Sequence, residues 1–259
     1  MKAVILCGGK GMRLREETEY KPKPLVTIGG MPILWHIMKI YSHYGIKDFV
    51  FCLGYKGKMI KDYFLNFEEM NHDFTLDLRN KEARVHHLDA TLEDWKMTFV
   101  DTGDEINTGA RVARIESYVK GETFCLTYGD GVANIDIQKL LQVHRAGDNT
   151  VTLTAIHPES QFGIVEHQGG KVTSFKEKPR SDTSINGGFF VCEPEIFHYV
   201  STDPSCVFEQ DPLRRLADDG KLGAYDHPDF WYCMDTYKHF EDLNKRWASG
   251  NAPWKIWKE

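Results

Sequence analysis

Ala3-Val4-Ile5-Leu6-Cys7-Gly8-Gly9-Lys10-Gly11-Met12-Arg13 begins as an apolar run and breaks into a glycine turn that carries two cations. Lys21-Pro22-Lys23-Pro24 follows shortly after. A short unbroken apolar run reads as a strand buried on both faces. The turn behind it suits a polyphosphate, because backbone N–H groups and positive charge meet there with little side-chain bulk. The same residues also fit a plain strand-to-helix turn with solvated cations. Each proline fixes its own φ and restricts the residue before it, so Lys21 and Lys23 are predicted on a stiff extended segment.

Outward from that stretch, strand and helix patterns alternate. Strands are predicted at Val4–Cys7, Phe49–Leu53, Met97–Val100, Phe124–Tyr128 and Val151–Ile156. Helices are predicted at Pro32–Tyr44, Lys58–Phe67, Gly109–Val119 and Ile135–His144, with Pro32 suited to a first turn and Gly45 to a stop. Such alternation means βαβ units and a parallel sheet. The second half differs. Gly163–Glu166, Val172–Phe175 and Gly188–Val191 read as short strands of an antiparallel insert. Helices follow at Pro194–Val200 and Pro212–Asp219, then a strand near Leu222–Tyr225 and a last helix at Tyr237–Ala248. Residues 71–90, with His86-His87, are the least periodic and read as an insert or an oligomer contact.

The chain has 259 residues, 41% of them hydrophobic, enough for one large core. A net charge of −6 argues against a general nucleic-acid binder. No run approaches the roughly 18 apolar residues of a membrane span. The start lacks a signal-peptide pattern, so a cytoplasmic location is expected. The six cysteines are scattered without a C-x-x-C pair and read as reduced core thiols.

Familiar nucleotide loops do not fit the glycine turn. A Walker A loop needs Gly-Lys followed by Ser or Thr, but Gly11 and Met12 follow Lys10. In a dinucleotide fingerprint starting at Gly9 and Gly11, Leu14 would occupy the last glycine position. What remains is a loop at the carboxyl end of the first strand, where ligands of α/β sheets usually sit. Gly8 and Gly9 allow close approach to a base or sugar, and Arg13 offers a planar fork for phosphate oxygens.

Further chemistry lies downstream. Phe124–Tyr128 runs into Gly129-Asp130-Gly131, a strand-end carboxylate without bulk on either side, which suits a hard divalent cation. Magnesium usually takes one or two protein carboxylates plus phosphate oxygens. Asp235, in Met234-Asp235-Thr236, is the second candidate; it also fits an ordinary N-cap of the final helix. Thr108 could cap the helix that Gly109 opens, with Arg111 one turn in, reaching phosphate or base or simply solvated. Lys178, before Pro179, is a candidate for a sugar phosphate, with Glu177 and Asn186 for hydroxyls and bare backbone at Gly187. A β-hairpin with turn glycines fits that region equally.

Together, in this order, these motifs resemble the sugar-1-phosphate nucleotidyltransferases, and the likeness spans nearly the whole chain. The carriers are the glycine loop, Lys21 to Pro24, Pro32 to Met38, Thr127 to Val132, Glu177-Lys178-Pro179, Ile185 to Phe190, Met234 to Thr236 and Ala252 to Trp257. The resemblance implies one α/β domain with a mostly parallel Rossmann-like sheet flanked by helices and a small antiparallel sugar-binding insert. Its nucleotide part would lie in about 1–135 and its sugar-phosphate part in about 150–235.

The resemblance further implies CTP and α-D-glucose 1-phosphate as substrates, CDP-glucose and pyrophosphate as products, and Mg²⁺ as cofactor. It implies nucleotide contacts from Leu6, Cys7, Gly8, Gly9, Lys10, Gly11, Met12 and Arg13, with Lys23, Thr108, Arg111 and Gly129. Sugar phosphate falls to Glu177, Lys178, Asn186 and Gly187, metal to Asp130 and Asp235, and catalysis to Arg13, Lys23 and Asp130. A trimer or hexamer supplying bacterial surface polysaccharide (lipopolysaccharide O-antigen) is also implied. Three positions depart from the family habit: Cys7 for Ala, Lys10 for an apolar residue, and Met12 for Thr. Two rivals stay open: the same chemistry on dTTP, UTP or ATP, and a silent nucleotide-sugar-binding regulator.

Overall fold

A computed structural model describes residues 1–80, 84–86, 93–119, 121–160 and 162–258. Seven strands form the main sheet: β1 (Lys2–Cys7), β2 (Asp48–Leu53), β3 (Lys96–Asp101), β4 (Phe124–Tyr128), β5 (Val151–Ile156), β6 (Ile185–Cys192) and β7 (Leu222–His227). Their order is β7-β5-β6-β4-β1-β2-β3. Strand β1 pairs in parallel with both β2 and β4, β2 with β3, and β5 with β7. Only β6 runs antiparallel, between β5 and β4. The fold is therefore the mixed α/β sheet, mostly parallel, that the alternating pattern predicts.

Strand β1 explains the layering. Ala3, Ile5 and Cys7 enter one core, while Val4 and Leu6 enter another on the opposite face. Side chains alternate across a strand, so an unbroken apolar run can feed two cores. The first core is closed by α1 (Ile33–His43), α2 (Gly57–Leu65), α4 (Ile137–Ala146) and α6 (Tyr237–Ala248). The second is closed by α3 (Thr108–Ala113) and α5 (Asp211–Asp218), with Ile115, Val119 and Ile196. Each fully buried aliphatic side chain contributes roughly 1.5–3 kcal/mol.

Three expected elements differ. Gly188–Val191 does not belong to the insert; it lies within β6, inside the main sheet. Gly187 and Gly188 read as turn residues, but a Cβ on Gly188 would lie 2.4 Å from the Tyr128 ring. The glycine makes room for that aromatic. The insert is the hairpin of Ile164–Gln168 with Lys171–Lys176 alone, turned by Gly169 and Gly170 at positive φ. The predicted helix Gly109–Val119 breaks into α3 and a short turn at Glu116–Val119, because Ile115 N–H bonds tightly back to Val112 C=O. Pro194–His198 is a 3₁₀ turn rather than an α-helix. Within 71–90, Phe74–Leu76 pairs with Arg84–His86 outside the main sheet; 81–83 and 87–90, including His87, lie outside the described residues.

A small two-stranded ribbon between remote segments matters most for function. Gly131–Ala133 pairs antiparallel with Trp231–Cys233, setting Cys233 opposite Gly131. Met234 N–H then donates to Asp130 C=O at 2.8 Å. This pairing carries the 235 region to the carboxyl end of β4. The sheet order changes direction around β1 and β4, which is where doubly wound folds open a ligand crevice.

His36 on α1 is fully buried among Trp35, Trp247, Trp254 and Trp257. Its Nε2 lies 2.9 Å from Ile28 C=O, and Trp254 Nε1–H faces its Nδ1 at 3.4 Å. Burial, only partly opposed by the backbone hydrogen bonds, lowers its pKa to about 4. The unfolded chain therefore binds this proton below about pH 6.5 while the folded chain refuses it until about pH 4. Stability should fall as pH falls through that window, by roughly 3 kcal/mol in full. Denaturant unfolding at pH 7 and pH 4.5 checks this. His36→Gln should flatten the difference, and an unchanged slope would rule His36 out as its source.

Candidate active site

The carboxyl ends of β1 and β4 open onto a cleft of about 870 Å³. Leu6, Cys7, Gly8, Gly9, Lys10, Gly11, Met12 and Arg13 line one wall. Gly11 sits at φ +62°, turning the chain into a short 3₁₀ element at Met12–Leu14. The Thr18 hydroxyl contacts Gly11 C=O at 3.0 Å and Leu14 C=O at 2.9 Å, fixing that turn from behind. A Cβ on Gly8 would lie 2.0 Å from the Arg111 guanidinium carbon, so this bare backbone is a steric requirement. Met12 is 73% exposed and brings no hydroxyl, leaving backbone as the polar contribution there.

Lys23 lies at the cleft floor and is 9% exposed. It sits in a 3₁₀ turn, Lys23–Leu25, rather than the expected extended segment; only Pro22 before it is extended. Its ammonium donates to Asp130 Oδ2 at 2.6 Å and Asp235 Oδ1 at 2.7 Å. Arg13 approaches the same Asp235 oxygen at 3.1 Å. Burial pulls the Lys23 pKa down, but the two carboxylates outweigh it and the net shift is upward. Burial likewise opposes ionisation of Asp235, while Lys23 and then Arg13 carry the net shift downward. Lys21 points elsewhere, pairing with Glu17 at 3.1 Å, so one lysine of the proline-flanked pair faces the cleft.

Asp235 does not cap the last helix. Thr236 does, accepting from His239 N–H. One residue of offset frees the Asp235 carboxylate for the cleft. One ligand atom each from Asp130, Cys233 and Asp235 lie within 4.8 Å of one another. Lys23 holds a positive charge between the two carboxylates, where a divalent cation would also be attracted. Paired oxygens of this kind fit a hard divalent cation with open positions for phosphate. Cys233 reads in the sequence as one of the core thiols; the strand pairing with Gly131 instead brings it, half-buried, to this cluster.

On the nucleotide side, Thr108 opens α3 and Asn107 precedes it as the cap position, so Thr108 is not the cap. Its hydroxyl accepts from Phe208 N–H at 2.9 Å and donates to Glu209 at 2.6 Å, bracing a second loop. Arg111 is 3% exposed rather than solvated. Its guanidinium donates to Gly8, Leu53, Gly103, Asp104 and Ile106 carbonyls and to the Thr102 hydroxyl. It therefore clamps the glycine loop to the 103–106 loop across the cleft wall. Lys10 pairs with Glu105 at 2.7 Å between the same two loops. Gly129 also needs its bare Cα, since a Cβ would sit 2.9 Å from Leu6 C=O.

On the other side, Asn186 and Gly187 line the cleft, while Glu177 and Lys178 do not. Those two follow the hairpin and are exposed, and Lys178 adopts φ +45° instead of the extended form expected before proline. Asn186 Oδ1 accepts from Gly188 N–H at 2.8 Å, and its Nδ2 reaches the Tyr128 hydroxyl at 3.3 Å. Trp231 Nε1–H donates to Gly187 C=O at 2.6 Å. Tyr128 and Trp231, both lining the cleft, were missed; their aromatic character reads as core until the sheet places them.

Bare backbone beside clustered cations, opposite paired carboxylates, is the site of an enzyme that handles nucleotide phosphates. Residues 2–249 match the family described as "Nucleotidyl transferase", and the chain belongs to that family. It is similar to a glucose-1-phosphate cytidylyltransferase of Salmonella typhi, at 50% identity covering 99% of this chain and 100% of the relative. It is also similar to a probable glucose-1-phosphate cytidylyltransferase of Bacillus subtilis (strain 168), at 47% identity with the same coverage. Its fold matches a putative glucose-1-phosphate thymidylyltransferase of Bacillus anthracis with a TM-score of 0.70 at 17% identity, covering 100% of this chain and 98% of that one. No helix among the described residues is long and apolar enough to cross a membrane.

The Arg111 clamp has a measurable consequence. Arg111→Met should leave several buried carbonyls without donors and lower stability by about 3 kcal/mol or more. It should also raise the nucleotide KM by loosening the Gly8 backbone. Denaturant unfolding and steady-state kinetics check both, and wild-type values in the two would discard the clamp.

Proposed function

We propose that the protein transfers a cytidylyl group from CTP to α-D-glucose 1-phosphate, releasing pyrophosphate and forming CDP-glucose. The observation that carries the transfer is Lys23, held between Asp130 and Asp235 at the cleft floor and facing the glycine loop. The activities for which the relatives at 47–50% identity are named support the choice of CTP and glucose 1-phosphate. CTP would lie along the 1–135 part of a single domain, its phosphates against Gly8 to Arg13. Glucose 1-phosphate would lie on the 150–235 part, near Asn186 and Gly187.

The sugar-phosphate oxygen attacks the α-phosphorus of CTP, and pyrophosphate leaves in line. Such transfers need positioning and charge stabilisation more than covalent help. Arg13 and Lys23 neutralise the charge that builds on the α-phosphate and the leaving group. No general base is needed, because the attacking phosphate monoester is already ionised near neutral pH. Asp130 and Asp235 are the residues that would hold Mg²⁺, and a bound divalent cation supplies charge neutralisation to phosphate oxygens. Glu177 and Lys178, exposed just after the hairpin, reach the sugar phosphate in this reading only by movement of that segment.

A nucleotide-sugar synthase works where CTP and sugar phosphates are made, so a cytoplasmic place in surface-polysaccharide (O-antigen) supply belongs to this proposal. Exposed Val165, Val172 and Phe175 on the hairpin support association between copies, for which the family resemblance implies a trimer or hexamer.

A pyrophosphate-release assay with CTP, UTP, dTTP and ATP, each with glucose 1-phosphate, tests the reading. CTP should win by well over tenfold, since a site that hydrogen-bonds one base leaves its own polar groups unpaired against another. Equal rates would reject the base assignment, and no release with any pair would favour a silent regulator. Removing one well-aimed transition-state donor costs about 3–4 kcal/mol, so Lys23→Ala should cut kcat by roughly 10²–10³. Near-normal turnover would remove Lys23 from the mechanism. Asp130→Asn should shift the Mg²⁺ titration of activity to higher concentration, and an unchanged curve would reject metal holding there.

A further inference from the structure

Glu209 lies just before α5 and is not itself part of the cleft lining. Its two carboxylate oxygens nevertheless take one hydroxyl from each side of the cleft. Oε1 accepts from the Tyr128 hydroxyl at 2.5 Å, and Oε2 accepts from the Thr108 hydroxyl at 2.6 Å. Phe208 N–H donates to Thr108 Oγ1 at 2.9 Å, so the backbone next to Glu209 holds the same hydroxyl from its other side. Tyr128 also accepts from Asn186 Nδ2 at 3.3 Å. A single carboxylate thus joins the start of α3, the end of β4 and the start of β6.

Proton counting gives this network a direction. A hydroxyl has one proton and two lone pairs, whereas an ionised carboxylate only accepts. Both hydroxyl protons must therefore point at Glu209. The Tyr128 oxygen is left with lone pairs for Asn186 and the cleft. A sugar presents hydroxyl donors, and a tyrosine whose own proton is fixed away from the cleft meets them as an acceptor only.

We infer that Glu209 is a positioning residue that orients the Tyr128 hydroxyl as an acceptor for the sugar phosphate and couples it, through Thr108, to the nucleotide side. The inference rests on the proposed two-substrate transfer but not on which base is used. Without the carboxylate the phenol proton is free to turn into the cleft, and ordering it falls to substrate binding. The deficit belongs in the KM for sugar phosphate rather than in kcat, because the hydroxyl touches the sugar and not the reacting phosphorus.

The test is steady-state kinetics of Glu209→Gln, Tyr128→Phe and the double variant, with thermal midpoints measured alongside. Each is run with the nucleotide and sugar phosphate that the wild type turns over fastest. Glu209→Gln keeps the size of the side chain but replaces one acceptor with a donor. It should raise the sugar-phosphate KM about tenfold, the loss expected for a hydrogen bond to a charged group, with a much smaller change in kcat. Added to Tyr128→Phe, it should raise that KM no further, because the effect passes through the phenol. An unchanged KM in folded Glu209→Gln overturns the inference. So does the same KM increase on top of Tyr128→Phe, since a merely structural brace would act in either background. A wild type that prefers another nucleotide defeats the CTP reading and leaves this comparison intact. A wild type that releases no pyrophosphate with any pair overturns both.

Discussion

The active-site end of the molecule depends on one buried ammonium. Lys23 is separated from Asp130 by 107 residues and from Asp235 by 212, yet it contacts both. Two carboxylates this close repel each other, and burial penalises each charge further. The lysine compensates both terms at once, and its own burial is compensated in return. None of the three groups is comfortable alone in this cleft. The antiparallel pairing of Gly131–Ala133 with Trp231–Cys233 is the device that delivers the third partner.

Around that centre the cleft is built from loops, and loops need fastening. Arg111 fastens the nucleotide wall by donating to carbonyls of segments that follow β1, β2 and β3. A guanidinium suits this task because its donors form a rigid planar fork that cannot lose its charge. Glycine at position 8 follows from the arginine, as the bare Cα is what lets the fork lie against the loop. The opposite wall uses fewer links, the Tyr128 hydroxyl on the Glu209 carboxylate and neutral bonds among Tyr128, Asn186 and Gly188. The rigid wall faces the larger, more highly charged proposed substrate.

Much of the fold was legible because parallel strands announce themselves as apolar runs. Val4–Cys7, Phe49–Leu53, Phe124–Tyr128 and Val151–Ile156 all fall within main-sheet strands. β6 was misassigned because Gly187 and Gly188 carry a turn signature while answering steric demands from neighbours distant in sequence, Ile156 and Thr154 at Gly187 and Tyr128 at Gly188. At the site, glycines and charges next to strand ends were readable, since local chain geometry decides them. What was not readable depends on pairing between remote segments. Cys233 beside Asp130, Glu209 behind Thr108, and Arg111 turned inward rather than to solvent are all of that kind. Lys21 and Lys23 look equivalent in sequence, and only the tertiary position of Glu17 and the two aspartates separates them.

The long separations at the centre also set a timetable for the newborn chain. A ribosome adds about 5–20 residues each second, so on the order of ten seconds or more divides the emergence of Lys23 from that of Asp235. The α1 side of the sheet waits longer still, because fully buried Trp254 packs beside His36. Until Tyr128 has emerged, β1 has β2 as a parallel neighbour but lacks β4, and its edge toward β4 stays open. Completion therefore comes in a late, concerted step after synthesis, when the last aromatic residues seal one face and the acidic pair closes on its lysine. The nascent protein is most exposed to misassociation before that step, while apolar surface and strand edges are still uncovered.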